Sequence, residues 1–297
     1  AHVARGTVIL LFTLHSPLVT LEAADRPLRV VVTLSTFGDL VTAIGGDHVA
    51  VASIASPRFN PHFIEPKPSD VLKVKRATVF VHAGLDLELW RGPLLDAAGN
   101  TRLFPGQPGE LDLSRGIPLL EVPTRAVSRA EGDIHLYGNP HYWLNPENVR
   151  TMVQTICDAL CVLDPQHQDD YHRNLGEFLR RLDRKIAEWR SALAPYNGRE
   201  VVGYHNEWLY LMEFGGLKMS YFLEPKPGIP PTPRQIKFLE QYITERRVAV
   251  IVQATYVPQV AAESLAKRTG AKVVVLCQNV REVPACSDYI AMLDYNV

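Results

Sequence analysis

Two histidines in this chain follow the same dipeptide, in Asn60-Pro61-His62 and Asn139-Pro140-His141, and a third, His205, follows Val202-Gly203-Tyr204. Neutral imidazole is a borderline-soft donor that binds Zn²⁺ at about 2.0–2.1 Å, so three rings brought together would make a metal site. The prolines on either side of His62 and His141 stiffen the backbone, which would hold those rings in place before a ligand arrives. A single histidine in such a position more often caps a turn or a helix. The repeated context, with a third histidine at a strand end, favours metal. The ten histidines are spread along the chain without a His-rich tract, so folding must assemble any such site.

The elements that would assemble it read as two α/β series. In the first, Arg29 to Thr33, His48 to Ile54 and Thr78 to His82 are β-branched runs, separated by helical patterns at Phe37 to Ile44 and Ser69 to Lys75. Near-continuous apolar runs alternating with helices imply a parallel sheet covered on both faces. The stretch from Asn100 to Asp133 is rich in Pro and Gly and reads mostly as loop, with one candidate strand at Pro118 to Val122. A helix is expected from Asn145-Pro146 to about Val162, and a longer one from Asp164-Pro165 to about Leu193. Tyr171, Leu175, Phe178, Leu182, Ile186, Trp189 and Leu193 recur at steps of three and four along its face. A second series follows: strands at Glu200 to Gly203, Lys218 to Leu223, Val248 to Gln253 and Lys272 to Cys277, and helices at Asn206 to Phe214, Pro233 to Glu245 and Pro258 to Thr269, the last with its proline in the first turn. The expected fold is α/β: an N-terminal lobe over 28–145, connecting helices over 146–195 and a C-terminal lobe over 198–297. Ligands in such folds sit outside the carboxyl ends of the strands and between domains. All three histidines fall there.

Composition agrees with a folded two-domain chain. At 297 residues, with 46% hydrophobic and 21% charged, it is neither short nor disordered. Lys plus Arg number 31 and Asp plus Glu 32, a net charge of −1, which argues against a general nucleic-acid binder. Arg5, the apolar run Thr7 to Leu14, Ser16-Pro17 and the small residues Ala23 and Ala24 describe an export signal over 1–24, too short to span a membrane. No cysteine lies near it, so a lipid anchor is not indicated. Four cysteines suit an exported protein. Cys277 and Cys286 flank a loop and could be bridged. Cys157 and Cys161, four apart on one helix, suit a disulfide poorly and read as buried thiols. None has the C-x-x-C spacing of a metal ligand.

Five segments together resemble the zinc and manganese class of solute-binding proteins that serve ABC importers: NPHFIEPKPSD at 60–70, GNPHYWLNP at 138–146, YHNEW at 204–208, EPKPGIPPTP at 224–233 and DYIAMLDYN at 288–296. Each motif is weak alone; jointly they are specific, and the similarity runs from about Leu28 to the end. It implies two α/β lobes joined by a backbone helix, with one metal in the cleft. His62 and His141 would be ligands from the N-terminal lobe and His205 from the C-terminal lobe. Histidine at the third position is the zinc pattern, whereas manganese members carry a carboxylate there, in keeping with the preference of harder ions for oxygen. The resemblance further implies a periplasmic, monomeric, non-enzymatic protein that delivers its ion to a membrane permease.

Three departures accompany the resemblance. Where the class often supplies an Asp after the last strand, this chain reads Cys277-Gln278-Asn279-Val280-Arg281; the fourth position falls to Gln278, to Glu207 or Glu224, or to water. The His-rich loop of many zinc members is missing, since Asn100 to Gly138 contains only His135. The chain also stops at Val297, where relatives continue into a closing helix, so a truncation that weakens the C-terminal lobe is expected. Among the other histidines, His82 and His135 lie near the cleft and could support the ligands from behind, but read first as satisfied structural residues; His167 and His172 read as solvated. Trp143 and Trp208 are expected to shield the site, and the stiff 224–231 segment to line the cleft mouth or meet the transporter. Manganese or iron capture is the alternative within the binding class. A zinc hydrolase, with Glu207 or Glu224 as general base, is the alternative outside it, but no H-E-x-x-H occurs.

Overall fold

The computed structural model describes residues 26–124, 135–224 and 229–297. The expected export segment at 1–24 and the middle of the stiff loop, 225–228, lie outside these. The first sheet contains β1 (Leu28–Val32), β2 (Val49–Ser53), β3 (Val79–His82) and β4 (Glu110–Asp112), ordered β2-β1-β3-β4 with every pair parallel. Side chains alternate across it: Val30 and Val32 enter the central core, while Val31 and Phe80 pack outwards against Trp90, Leu94 and Leu95. Both faces are therefore buried, which accounts for the uninterrupted valine runs. Helices α1 (Ser35–Gly45), α2 (Pro68–Arg76) and α3 (Arg91–Ala98) belong to this lobe.

Two helices follow, α4 (Pro146–Leu163) and α5 (Gln168–Leu193). Asn145 caps α4 by accepting the Glu147 N–H at 3.0 Å, with Pro146 in the first turn where no donor is needed. At 26 residues, α5 is about 39 Å long. Tyr171, Leu175, Phe178, Leu182, Ile186 and Trp189 are all buried along one face, as the spacing requires.

The second sheet repeats the topology of the first. β5 (Glu200–Gly203), β6 (Lys218–Phe222), β7 (Val250–Ala254) and β8 (Lys272–Leu276) are parallel in the order β6-β5-β7-β8. Helices α6 (Leu209–Phe214), α7 (Pro233–Arg246) and α8 (Val260–Thr269) accompany it, and α9 (Tyr289–Asn296) packs against α1 and α5. One apolar cluster runs from Val30 and Phe37 through α4 and α5 to Leu276 and Leu293. The two lobes and their connecting helices thus share a core, and large hinge motions would break it.

Several expectations need correction. Pro118 to Val122 is not a strand: Pro118 lacks an N–H, and Glu121 adopts φ 53°, which breaks an extended run. The fourth strand of that sheet is β4, which lies beside β3. Residues 91–98, for which the sequence reading names no element, form α3, with Pro93 near its start where it is tolerated. Pro258 precedes α8 instead of opening it. Cys277 and Cys286 are free and buried, behaving as small apolar side chains.

Candidate metal centre

Each proposed ligand sits in a loop at the carboxyl end of a parallel strand or beside one, where backbone groups are not consumed by the sheet. His62 follows β2 in a single tight turn, Pro61–Phe63, whose first N–H groups are capped by Asn60: the Asn60 side chain accepts the His62 N–H at 3.0 Å. The Trp90 indole N–H holds the other side of the turn, donating to the Pro61 carbonyl at 3.0 Å. His141 is introduced by Gly138 at φ 118°, a conformation open to glycine but strained for other residues. His205 leaves β5 directly and precedes the turn Asn206–Trp208.

The structure brings the three together. One nitrogen from each of His62, His141 and His205 lies within 4.8 Å of the other two, and all three residues are buried. His62 Nε2 and His141 Nε2 are 3.2 Å apart. Two nitrogens 2.0–2.1 Å from a tetrahedral ion are separated by about 3.3 Å, so this edge already has the length a shared cation imposes.

Surrounding hydrogen bonds determine which nitrogen faces the cluster. The Asn139 amide donates to Glu121 Oε2 at 3.1 Å and to the Asn206 carbonyl at 2.9 Å. Its Oδ1 must then face His141, accepting the backbone N–H at 3.1 Å and ring Nδ1–H at 2.9 Å. That leaves the His141 Nε2 lone pair pointing at His62. Across the cleft, His205 Nδ1 lies 3.1 Å from Glu224 Oε2, the carboxylate–imidazole arrangement that orients metal-bound histidines. Burial, and then the neighbouring rings, hold both His62 and His141 well below the ordinary histidine range. Both are neutral near pH 7, as metal ligation requires.

The fourth-position residues separate. The Gln278 amide is engaged, with Nε2 donating to Glu207 Oε2 at 3.0 Å. Glu224 is occupied with His205. Glu207 is fully buried; its Oε2 also accepts the Tyr256 hydroxyl at 2.7 Å, while Oε1 has no hydrogen-bond partner among the described residues. Burial pushes its carboxyl up, against the pull of His205. A cavity of about 230 Å³ opens here, lined by Asn60, Tyr204, His205, Glu207, Glu224 and Tyr256 among others.

Sequence reasoning underrated His135. Its ring stacks on His62 with centroids 5.1 Å apart and lies 5.7 Å from His141. Asp86 Oδ1 is 3.3 Å from Nδ1, and Nε2 is buried without a partner among the described residues. It is therefore a fourth imidazole bordering the cluster, not a satisfied structural one. The loop composition before it carried no signal of this. His82, by contrast, is satisfied, its Nε2–H donating to Glu110 at 2.9 Å and its Nδ1 accepting the Gly84 N–H at 2.9 Å. His167 is not solvated: it stacks on His48 at 3.7 Å and bonds Asp164. Trp143 lies fully buried, 5.6 Å from the His141 ring, and its N–H donates to the Gln278 carbonyl at 2.9 Å. It covers the site and ties the lobes together.

A family model described as the periplasmic zinc-uptake complex component A, ZnuA, matches residues 30–297. The chain belongs to this family. A solved structure of ZnuA superposes with a TM-score of 0.76 at 27% identity, over 90% of this chain and 96% of that one. The iron-binding protein YfeA of Yersinia pestis is 26% identical over 83% of this chain and 76% of its own length. The manganese ABC transporter substrate-binding lipoprotein PsaA of Streptococcus mitis is also 26% identical, over 83% of this chain and 84% of its own. As a member of the ZnuA family the chain is a metal-binding substrate-binding protein of an ABC importer, a class that works with membrane permeases. Among the described residues no helix is long and apolar enough to cross a membrane.

Proposed function

We propose that the protein captures Zn²⁺ in the periplasm with His62, His141 and His205 and passes it to the permease of an ABC importer. The observation that carries this reading is a three-residue donor group made of imidazole nitrogens, drawn from both lobes, with no carboxylate in it. Such a set suits zinc better than manganese, which favours oxygen. The N-terminal lobe presents two of the rings already at ligand spacing, so the ion is held there first and the His205 loop closes on it. The protein acts as an exported monomer, its leader lying in the first 24 residues.

Zinc and manganese, titrated into metal-free protein against a chelating indicator, test the proposal. Zn²⁺ should bind at least roughly a hundredfold more tightly, and His205→Ala should weaken it by more than the 10–100-fold typical of outer-shell changes. Equal affinities, or an unaffected His205→Ala, refute the assignment. Manganese or iron capture is the second reading. It is supported by the buried Glu207 Oε1 beside the cluster, an oxygen available to a harder ion, and by the iron and manganese named for the two relatives.

A further inference from the structure

We propose that Cys157, Cys161 and His172 form a second metal site, for a thiophilic d¹⁰ cation of the Zn²⁺ type, on the α4–α5 hairpin and separate from the cleft. The two cysteines lie one turn apart on α4 and so present their thiols side by side. His172 comes from α5, which packs along α4. Its Nδ1 is 3.6 Å from Cys157 Sγ and its Nε2 3.8 Å from Cys161 Sγ. One donor atom from each residue lies within 4.8 Å of the other two. Bonds of about 2.3 Å to sulfur and 2.0–2.1 Å to nitrogen, in a tetrahedron, set S···N near 3.6 Å and S···S near 3.8 Å. One imidazole nitrogen and both thiols, all within 4.8 Å of one another, need to draw in by about 1 Å at most to reach the spacing of a Cys₂His set.

Competing explanations fit less well. A disulfide between residues four apart on one helix meets the required geometry poorly. Packing accounts for Cys157, which is fully buried, and for the half-buried Cys161, which lies against the same core, but not for the exposed His172 ring set against both thiols. The other cluster of this size outside the cleft, His82 with Glu110 and Asp112, shows what an occupied cation position looks like. There the Arg91 guanidinium lies 2.6 Å from His82 Nε2, and Arg115 lies 3.1 Å from Glu110. No ion pair links a Lys or Arg to the thiol cluster among the described residues, and Arg173, next to His172, is paired with Asp170.

Burial, and then the Cys161 thiol, push the Cys157 thiol up to about 12, so Cys157 carries its proton in the metal-free protein. The arriving ion displaces one proton from each thiol into solvent and takes two thiolates and one imidazole. The exposed side of the cluster leaves room for water as the fourth ligand.

Cadmium is the probe, because thiolate-to-cadmium charge transfer absorbs in the ultraviolet and an imidazole–oxygen cleft lacks this band. Metal-free full-length protein, kept reduced with a phosphine, is titrated with Cd²⁺, and zinc stoichiometry is measured in parallel by calorimetry. The expected result is a charge-transfer band in the parent and in His205→Ala, lost or shifted at least tenfold in affinity in Cys161→Ser and His172→Ala. The parent should bind two Zn²⁺ and Cys161→Ser one. A parent without the band, a parent holding a single Zn²⁺, or a band that persists in Cys161→Ser and disappears in Cys286→Ser would each overturn the site. Because Cys161 and His172 are not core residues, these variants do not require the buried Cys157 to be altered.

Discussion

Removing the Asn139 side chain should weaken metal binding although Asn139 never touches the ion. In Asn139→Ala the ring of His141 loses the acceptor for Nδ1–H, while the backbone N–H of His141 and the Asn206 carbonyl lose their partners. The backbone losses are shared by the metal-free and metal-loaded states, so they lower stability, by about 2–4 kcal/mol, and leave affinity largely untouched. The ring bond differs. Without it the lone pair is no longer committed to Nε2, which costs about 1 kcal/mol, and the freed ring must be re-ordered by the ion, at roughly 0.5–1 kcal/mol more. The sum, about 1.5–2 kcal/mol, is a 10–30-fold loss of affinity, within the range expected for outer partners of metal-bound histidine. Competition with a chelating indicator measures affinity, and thermal denaturation of the metal-free protein measures stability. Asn145→Ala is the control: it removes the α4 cap, costing about 1 kcal/mol of stability, but bonds no proposed ligand. An Asn139→Ala protein that is folded and binds within twofold of the parent refutes the reasoning, as does an equal affinity loss in Asn145→Ala.

Protonation of His62 and His141 should weaken metal binding only below the ordinary histidine range, since burial and the neighbouring rings hold both there; a competition titration of His205→Ala, which leaves these two rings, that breaks at about pH 6.5 or above contradicts this. Glu207→Gln should cost Mn²⁺ more affinity than Zn²⁺, because the harder ion depends on anionic oxygen; equal losses in a two-metal competition count against an oxygen donor at that position. Asp39, which accepts the Tyr289 N–H at 2.8 Å, is raised chiefly by burial to about 6. A carboxyl raised in the folded state favours folding below its unfolded value of 3.8 and loses that contribution as pH climbs through 6. Asp39→Asn should therefore stabilise the protein by about 2–3 kcal/mol at neutral pH and by nothing near pH 4, read as melting temperature against pH.

Much of the fold was legible because both sheets are parallel and buried on both faces. That arrangement turns each strand into an apolar run and each crossover into an amphipathic helix, as with β1, α1 and β2. The long face of α5 was legible residue by residue for the same reason. What escaped were elements whose support is not local. β4 is only three residues long and owes its strand conformation to β3 beside it, whereas 118–122 has the apolar composition of a strand but no extended backbone at Glu121. Helix α3 hides behind Gly92 and Pro93, residues that disfavour a helix interior but are harmless near its start.

The site divides along the same line. His62, His141 and His205 could be found because each lies beside a local signature and the topology delivers all three to one crevice. Nothing beside His135 marks it, since its meaning arises only where its ring meets His62. The thiol cluster is intermediate. The pairing of Cys157 with Cys161 can be read from helical periodicity, but the third member lies 15 and 11 residues away, on the next helix. The signal that could have found it is the turn at Asp164-Pro165, which folds α5 back along α4 and brings residues on either side of the turn into contact. Motif spacing within one element thus identifies half of such a site, and the handedness and length of the connecting turn must supply the other half. Here that turn places an imidazole over a pair of thiols. A leucine delivered to the same position would have left Cys157 and Cys161 as ordinary packing residues.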